Sequence, residues 1–265
     1  MSPQDRRGNP GDRRLRLQKP LDPGAKALAV VIALSSAVFA LGLRPAEQTQ
    51  SPPEILSSSA TRGKELMAAL RDYTYYAELT IQTISQSDTI TGKYYRFSQI
   101  SFDREGNRQE KVLENNSNLP AGVYIGTNGA NNLTRVYQFI ITPETLAQYE
   151  MNYVGKERID ELDTLVFDVK PKVKMPDPDK SDDRYLKGRV WIDQQDLCVV
   201  KVAGEALPEQ SSHRTPKFET YFQNFDKYWF PSYTTADDRI RVGRYFTRVV
   251  VSVRFTGYKK AGTKR

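Results

Sequence analysis

From Tyr73 onward the chain alternates. Tyr75, Ala77, Leu79 and Ile81 fall on one side of an extended run, and Tyr76, Glu78, Thr80 and Gln82 on the other, the period-two pattern of a half-buried strand. The rhythm returns in residues 90–102, in 164–170 with Leu165, Phe167 and Val169 on one face, and in 245–258, where Val249, Val251, Val253 and Phe255 oppose Val250, Ser252 and Arg254. A slip of one residue would turn every apolar side chain of such a run into water, so these segments commit the chain to a sheet with one covered face.

Turn residues between the runs read as hairpins. Residues 103–107 (DREGN) lead from 90–102 into 108–114, and 160–163 (DELD) join 153–159 to 164–170. The polar turn 193–196 joins the arms of 185–205. In the first arm Leu186, Val190 and Ile192 share one face while Lys187, Arg189 and Trp191 share the other; in the second, Cys198, Val200 and Val202 oppose Leu197, Val199 and Lys201. Residues 218–225 and 228–235 predict a further pair, and 136–141 (VYQFII) a strand of their own.

Two stretches break this rhythm. Gly63, Leu66, Met67, Leu70 and Tyr73 recur at helical spacing, which predicts one amphipathic helix over 61–72. Thr142-Pro143-Glu144 supplies an N-cap, a proline at the first helical position and an acid in the first turn, predicting about two helical turns through Tyr149. Residues 115–132, rich in Gly and Asn, read as a long loop carrying Val123, Tyr124 and Ile125, either a flap over a binding site or simple disorder. About ten strands and two helices make a mainly β chain of the α+β class.

The net charge of +7 raises the question of nucleic acid. The leader, residues 1–26, carries +4 and the tail, 259–265, another +4, so the body between them is left at −1. A nearly neutral body with interspersed charges offers no phosphate-binding surface, and no nucleic-acid partner is expected. The single Cys198 rules out an internal disulfide.

Residues 27–43 (ALAVVIALSSAVFALGL) form an uncharged run behind the basic leader. Its length lies between that of a signal-peptide core and that of a full membrane span. The segment predicts export to the periplasm, and two fates remain open: cleavage after Ala40, or retention as a signal anchor touching the inner membrane. Residues 44–59, rich in Ser, Pro and Gln, read as a linker, and 60–258 as one β domain.

Groups able to do chemistry are sparse. His213 is the single histidine, lies in the polar loop 208–216 and has no nucleophile-elbow serine to serve. Cys198 reads as a buried, inert thiol in a strand. Asp177, Asp179, Ser181 and Asp183 have the spacing of a calcium loop, but Asp182 replaces its glycine and Gly188 its terminal glutamate. Asp237 and Asp238 are adjacent in a strand, so they point to opposite faces and do not pair on one substrate. No glycine loop cradles a phosphate. The sequence predicts no catalytic residue, metal or cofactor, and a protein that is not an enzyme.

What is abundant is aromatic surface: 15 Tyr, 11 Phe and 2 Trp. These rings either fill a core between sheet and helices, or line the hollow of a curved sheet for an apolar guest. On the second reading the candidate lining residues are Leu66 and Leu70 from the helix and Leu79, Ile81, Phe97, Phe167, Trp191 and Phe222 from the strands.

An amphipathic helix leading from an export segment into continuous antiparallel sheet resembles the LolA/LolB-like lipoprotein carriers and the related RseB/MucB sensor domains. The likeness is carried by YVGKER (153–158) running into FDVKP (167–171), by GRVWID (188–193) with LCVVK (197–201), and by YWFP (228–231). The resemblance implies a half-open barrel, a large curved antiparallel sheet with helices packed on its concave side. It also implies that the concavity holds the acyl chains of a lipid or lipoprotein, as in outer-membrane lipoprotein sorting. The competing expectation is a non-catalytic envelope sensor or scaffold that binds a protein partner through the same sheet.

Overall fold

Ten strands and three helices follow one another in the computed structural model, which describes residues 50–261 apart from 124, 126, 137–138, 179, 182, 210–215 and 243–244. The basic leader, the apolar run 27–43 and His213 lie outside the described residues. The strands are β1 (Tyr73–Ile84), β2 (Ile90–Phe102), β3 (Arg108–Ser117), β4 (Tyr149–Ile159), β5 (Leu162–Pro171), β6 (Tyr185–Asp193), β7 (Val199–Leu207), β8 (Phe218–Phe225), β9 (Tyr228–Val242) and β10 (Tyr245–Lys260). They form one antiparallel sheet in the order β3-β2-β1-β10-β9-β8-β7-β6-β5-β4. The sheet is open and curved, since β3 and β4 are its two edges. The mainly β class and curved sheet expected from the sequence are the ones observed.

The path starts in the middle. From β1 the chain steps outward to the β3 edge, crosses through residues 118–148 to the opposite edge at β4, and returns strand by strand until β10 lies beside β1. The closing pair runs from Tyr73↔Lys260 to Ile84↔Arg248. Ala261 N–H then donates to Asp72 O at 2.7 Å. Lys259 and Lys260, assigned to a basic tail, are therefore the last residues of a strand.

The alternation seen in the sequence is the burial pattern found. Tyr73, Tyr75, Ala77, Leu79 and Ile81 are buried and the residues between them only partly so. They share a core with Leu165, Phe167, Val169, Leu186, Val190, Ile192 and Val202 from the far half of the sheet. The alternation predicted through Cys198, Val200 and Val202 fails at one point. A bulge at Trp191/Ile192 places two consecutive β7 residues, Val200 and Lys201, over the outer face, and Cys198 lies in the turn rather than in a strand. Such bulges also curve a sheet.

Helix α1 (Pro52–Leu70) covers the concave face, burying Ile55, Leu56, Ala60, Leu66 and Leu70 in the same core. It begins well before residue 61, taking up much of the stretch read as linker. Ser51 N–H and Oγ–H both donate to Glu54 Oε2 at 2.8 Å, and Pro52 opens the first turn. These are start signals that the Ser/Pro-rich composition masked.

Two other expectations are corrected in the crossover. The loop 115–132 is partly regular: β3 runs on to Ser117, and α2 (Thr127–Val136) fills much of the remainder, burying Ala130 in the core. The strand predicted over 136–141 is absent among the described residues; Val136 closes α2, residues 137–138 lie outside the description, and Ile140 and Ile141 pass unpaired beneath α1. Ile141 is fully buried. β-branched composition there signals burial rather than pairing. Helix α3 (Pro143–Gln148) follows as predicted, with Thr142 Oγ1 accepting from Thr145 N–H at 3.2 Å.

Gly63 lets α1 approach the crossover this closely: a Cβ built on it would lie 1.8 Å from Ile141 O. Gly63→Ala must push helix and crossover apart, and we expect a loss of about 2 kcal/mol in urea unfolding. Gly129→Ala in α2, where among the described residues a Cβ meets Ile125 alone, at 4.0 Å, serves as the control and should cost nothing; equal midpoints for the two variants would overturn this account. The core also sets an alkaline limit. Burial pushes the Tyr149 phenol up to about 12 although Leu186 N–H donates to its oxygen, and burial, aided by the hydrogen bond to Asp226, does the same for Tyr73. Unfolded, both phenols release their protons near 10, so their contribution is intact below pH 10 and is lost as pH rises towards 12. Melting temperatures should fall across that window, less steeply in Tyr149→Phe; identical slopes would refute the assignment.

Candidate functional site

The inward rows of the sheet are largely sealed by α1 and the crossover, but between α1 and the ends of β7–β9 the packing leaves a cleft of about 620 Å³. Its volume is in the range of small-ligand sites. Leu66 of α1, Ile140 and Ile141 of the crossover, Val199 at the start of β7 and Phe222 in β8 give it apolar walls. The β6–β7 turn adds Gln195, Asp196 and Cys198, and the β8–β9 hairpin adds Asn224, Lys227, Tyr228 and Trp229.

Local chemistry fixes these walls. Asp193, almost fully buried, accepts from Gln195 N–H at 3.0 Å and Asp196 N–H at 2.6 Å, shaping the turn. Asp196 Oδ2 in turn accepts from Trp229 Nε1–H at 2.8 Å, tying turn to hairpin. Asp226 opens the β8–β9 turn with φ of 57°, a left-handed conformation that Asp tolerates. Arg62 pairs with Glu65 at 3.1 Å along α1. Deeper in the wall, Ser59 is 2% exposed and its hydroxyl has no hydrogen-bond partner among the described residues.

A second polar feature lies under α2. Arg96 Nη2 reaches Glu110 Oε1 at 2.9 Å, and Arg108 Nη1 reaches Glu110 Oε2 at 2.9 Å, with all three side chains at most 13% exposed. Arg96 Nη2 also donates to Asn131 Oδ1 at 2.9 Å and Arg108 Nη2 to Thr134 Oγ1 at 3.3 Å. Helix α2 is thus fastened to β2 and β3 by two guanidinium groups that share one carboxylate. Sequence reasoning missed both the cluster and the cleft. The available signal was Arg96, which falls on the inward face of β2 between Tyr94 and Ser98 where an apolar residue is expected.

The eight candidate lining residues separate. Leu66 and Phe222 reach the cleft. Leu70, Leu79, Ile81 and Phe167 are packed in the core at 5, 1, 2 and 0% exposure. Phe97 and Trp191 lie on the outer face, because each sits between two inward-pointing neighbours in its strand. Phe97 stacks on Tyr76 with centroids 5.3 Å apart. Trp191 packs on Val166 and Val200, donates from Nε1 to Glu157 at 2.8 Å, and lies under the Lys201 ammonium.

Burial pushes the Cys198 thiol up to about 11, which disfavours the nucleophilic thiolate. Both Asp237 oxygens accept from Arg248, at 2.8 and 2.6 Å, and that pairing lowers its pKa. Asp238 Oδ2 instead accepts from Lys217 N–H. Asp177 pairs with Lys180, while Asp179 lies outside the described residues. No group of three metal-ligating side chains occurs among the described residues. No helix among them is long and apolar enough to cross a membrane.

Comparison with solved structures finds chains to which this one is similar. The chain is similar to LolA superfamily proteins. One, from Nitrosomonas europaea, has 12% identity and a TM-score of 0.36 over 79% of this chain and 93% of that one. A putative outer membrane lipoprotein-sorting protein domain from Vibrio parahaemolyticus has 13% identity and a TM-score of 0.35, covering 79% of this chain and 95% of that one. MucB in the Pseudomonas aeruginosa MucA/MucB complex has 8% identity and a TM-score of 0.23, covering 76% of this chain and 94% of that one. No family model matches the sequence, and no curated protein does.

Glu110 offers a test of the cluster beneath α2. Glu110→Gln leaves two buried guanidinium groups without their shared anion and should cost about 3 kcal/mol. It should also speed proteolytic cutting within 118–136. An unchanged urea midpoint together with unchanged cutting would show that the cluster does not hold α2.

Proposed function

We propose that the protein is a non-catalytic, exported envelope protein that holds an apolar guest, an acyl chain of a lipid or lipoprotein, between α1 and the concave face of its sheet. The observation that carries this reading is the cleft of about 620 Å³ with Leu66, Ile141, Val199 and Phe222 in its walls. Burying an acyl chain against such a surface is worth about 0.8 kcal/mol per CH₂. A short buried length thus supports binding that can still be reversed. The periplasm is the proposed compartment, on the strength of the apolar run 27–43 behind a basic leader.

The packed interior favours a second reading, in which the sheet serves a protein partner. Leu79, Ile81 and Phe167 leave no room around themselves, while the edge strands expose Val112 and Leu113 on β3 and Tyr153 and Val154 on β4. An extended partner segment adding to either edge would use main-chain hydrogen bonds.

One experiment separates the two. Protein purified from its native host is extracted for lipid mass spectrometry and titrated with a fluorescent fatty acid, alongside Val199→Trp, which fills the cleft. The carrier reading expects acyl lipid in the extract, and saturable uptake that drops at least about tenfold in the variant, the effect of losing about 1.4 kcal/mol. Circular dichroism confirms that the variant is folded. No acyl lipid and no uptake, with a stable protein partner in pull-downs, would replace it by the partner reading.

A further inference from the structure

The β3 edge of the sheet is open, and its strand is built around a bulge. The register with β2 passes from Phe97↔Glu114 to Ser98↔Val112, so Leu113 is the extra residue. Side-chain parity changes across such a site. The inner positions of β2 are Tyr94, Arg96, Ser98 and Ile100, which fixes the faces of β3 through its partners. Before the bulge, Glu110 opposes Ile100 on the inner face and Lys111 opposes Gln99 on the outer; after it, Glu114 opposes Phe97 on the outer face and Asn115 opposes Arg96 on the inner. Counted outward from the step between Val112 and Leu113, the two arms of β3 present the same faces in the same order. The strand is also centred on that step, since five of its ten residues, 108–112, precede it and five, 113–117, follow. Val112 and Leu113 are 43 and 47% exposed, and Lys111 and Glu114 beside them are exposed as well. Among the described residues Lys111 has no ion pair, and Glu114 accepts from Asn116 Nδ2–H at 2.7 Å.

We propose that a second copy of this chain occupies the β3 edge, antiparallel to the first, about a two-fold axis that crosses the sheet between Val112 and Leu113. That register sets Lys111 against the partner's Glu114 on the outer face, twice per dimer, with Val112 against the partner's Leu113 at the centre and Gln109 against the partner's Asn116. Arg108 and Glu110 fall opposite the partner's Ser117 and the partner's Asn115, so no two like charges meet directly. Opposite charges and apolar side chains directly across an antiparallel pair favour it, and the pairing occupies main-chain groups that an edge leaves free. A ten-residue strand without a bulge could not join itself in this flush register, because residues equidistant from its midpoint would lie on opposite faces. Strand β4 fails for that reason. About its midpoint, Val154, a two-fold would oppose Asn152 to Lys156, which pair within the sheet with Asp168 on the outer face and with Leu165 in the core. The dimer rests on the edge-pairing of the second reading above, with this chain itself as the segment added, and lies apart from the cleft on the β7–β9 side.

The test is sedimentation velocity on the full-length chain, held in a mild detergent so that residues 27–43 do not drive association. Wild type should pass from monomer to dimer as concentration rises, with a dissociation constant on the order of 10 μM, the strength of a small interface. Lys111→Glu and Glu114→Lys each turn two attractive cross-strand pairs into two repulsive ones, and each alone should weaken the dimer at least about tenfold. In an equimolar mixture of the two variants both pairs are attractive again, and dimer should return to within about twofold of wild type. A change of fold within one chain cannot produce that recovery. Lys156→Glu on β4 is the control and should leave the dimer as it is. A wild type that stays monomeric well above that concentration overturns the proposed dimer and leaves the edges to a foreign segment. A dimer that survives both single variants, a mixture that does not recover, or a dimer lost in Lys156→Glu overturns the Lys111–Glu114 register. No foreign protein in pull-downs, with the dimer and its recovery in the mixture both seen, would sink only the reading of the edges as sites for another protein.

Discussion

The pairing of β1 with β10 is the interaction on which the rest of the structure depends. Every other neighbouring pair in the sheet joins strands consecutive in sequence. Without the register from Tyr73↔Lys260 to Ile84↔Arg248, the protein would be two meanders, one of β1–β3 and one of β4–β10, with no shared edge. With it, inward residues from both halves, Leu79 and Ile81 on one side and Val190, Ile192 and Val202 on the other, become a single apolar surface. That surface is wide enough to bury one long helix along its length. The alternation in β1 and β10 therefore sets more than two strands: it decides that the concave face is continuous.

What that face carries is uneven, and the unevenness is informative. Under the middle of α1 the sheet is packed to exclusion, with Gly63 and Ile141 at the closest approach. At the β3 side the covering helix α2 is held through a buried Arg–Glu–Arg cluster as well as through apolar contacts. Such clusters are costly to desolvate. At the β7–β9 side the cover stops short and leaves the cleft. A protein that needed only a core could close that gap with a few larger side chains. The walls instead end in an ordered turn, with Asp193 fixing residues 195 and 196 and Asp196 fixing Trp229.

The sheet was legible because its signal is local. The limits of β2 and β8 fell where the alternation and turn residues put them, and the faces of β6 followed from counting by two. Three things were not legible, each for a physical reason. The bulge at Trp191/Ile192 shifts a face without changing composition. Ile140 and Ile141 are β-branched because they pack beneath α1, a property that strands and crossover segments share. The cleft joins residues as distant as Ser59 and Trp229, and no spacing in the sequence brings them together. Phe97 and Trp191 show the same limit from the other side: a large aromatic is an equally good cover for the outer face of a sheet, and only its parity along the strand tells which face it covers.

The position of β10 also governs timing. Strand β1 is made early, yet one of its two neighbours lies at residues 245–260. A chain emerging from its N-terminus can form the β1–β3 hairpins, and later the β4–β9 meander, but the two halves have no shared edge until the final strand has emerged. Until then the apolar stripe of α1 and the inner rows of both halves stay uncovered together. Pairings this distant in sequence are slow to form, so these surfaces stay exposed to aggregation through the whole interval between the emergence of β1 and that of β10. The last strand thus acts as a completion check, and a truncation that removes it exposes the same apolar surface that the finished protein keeps for its helix.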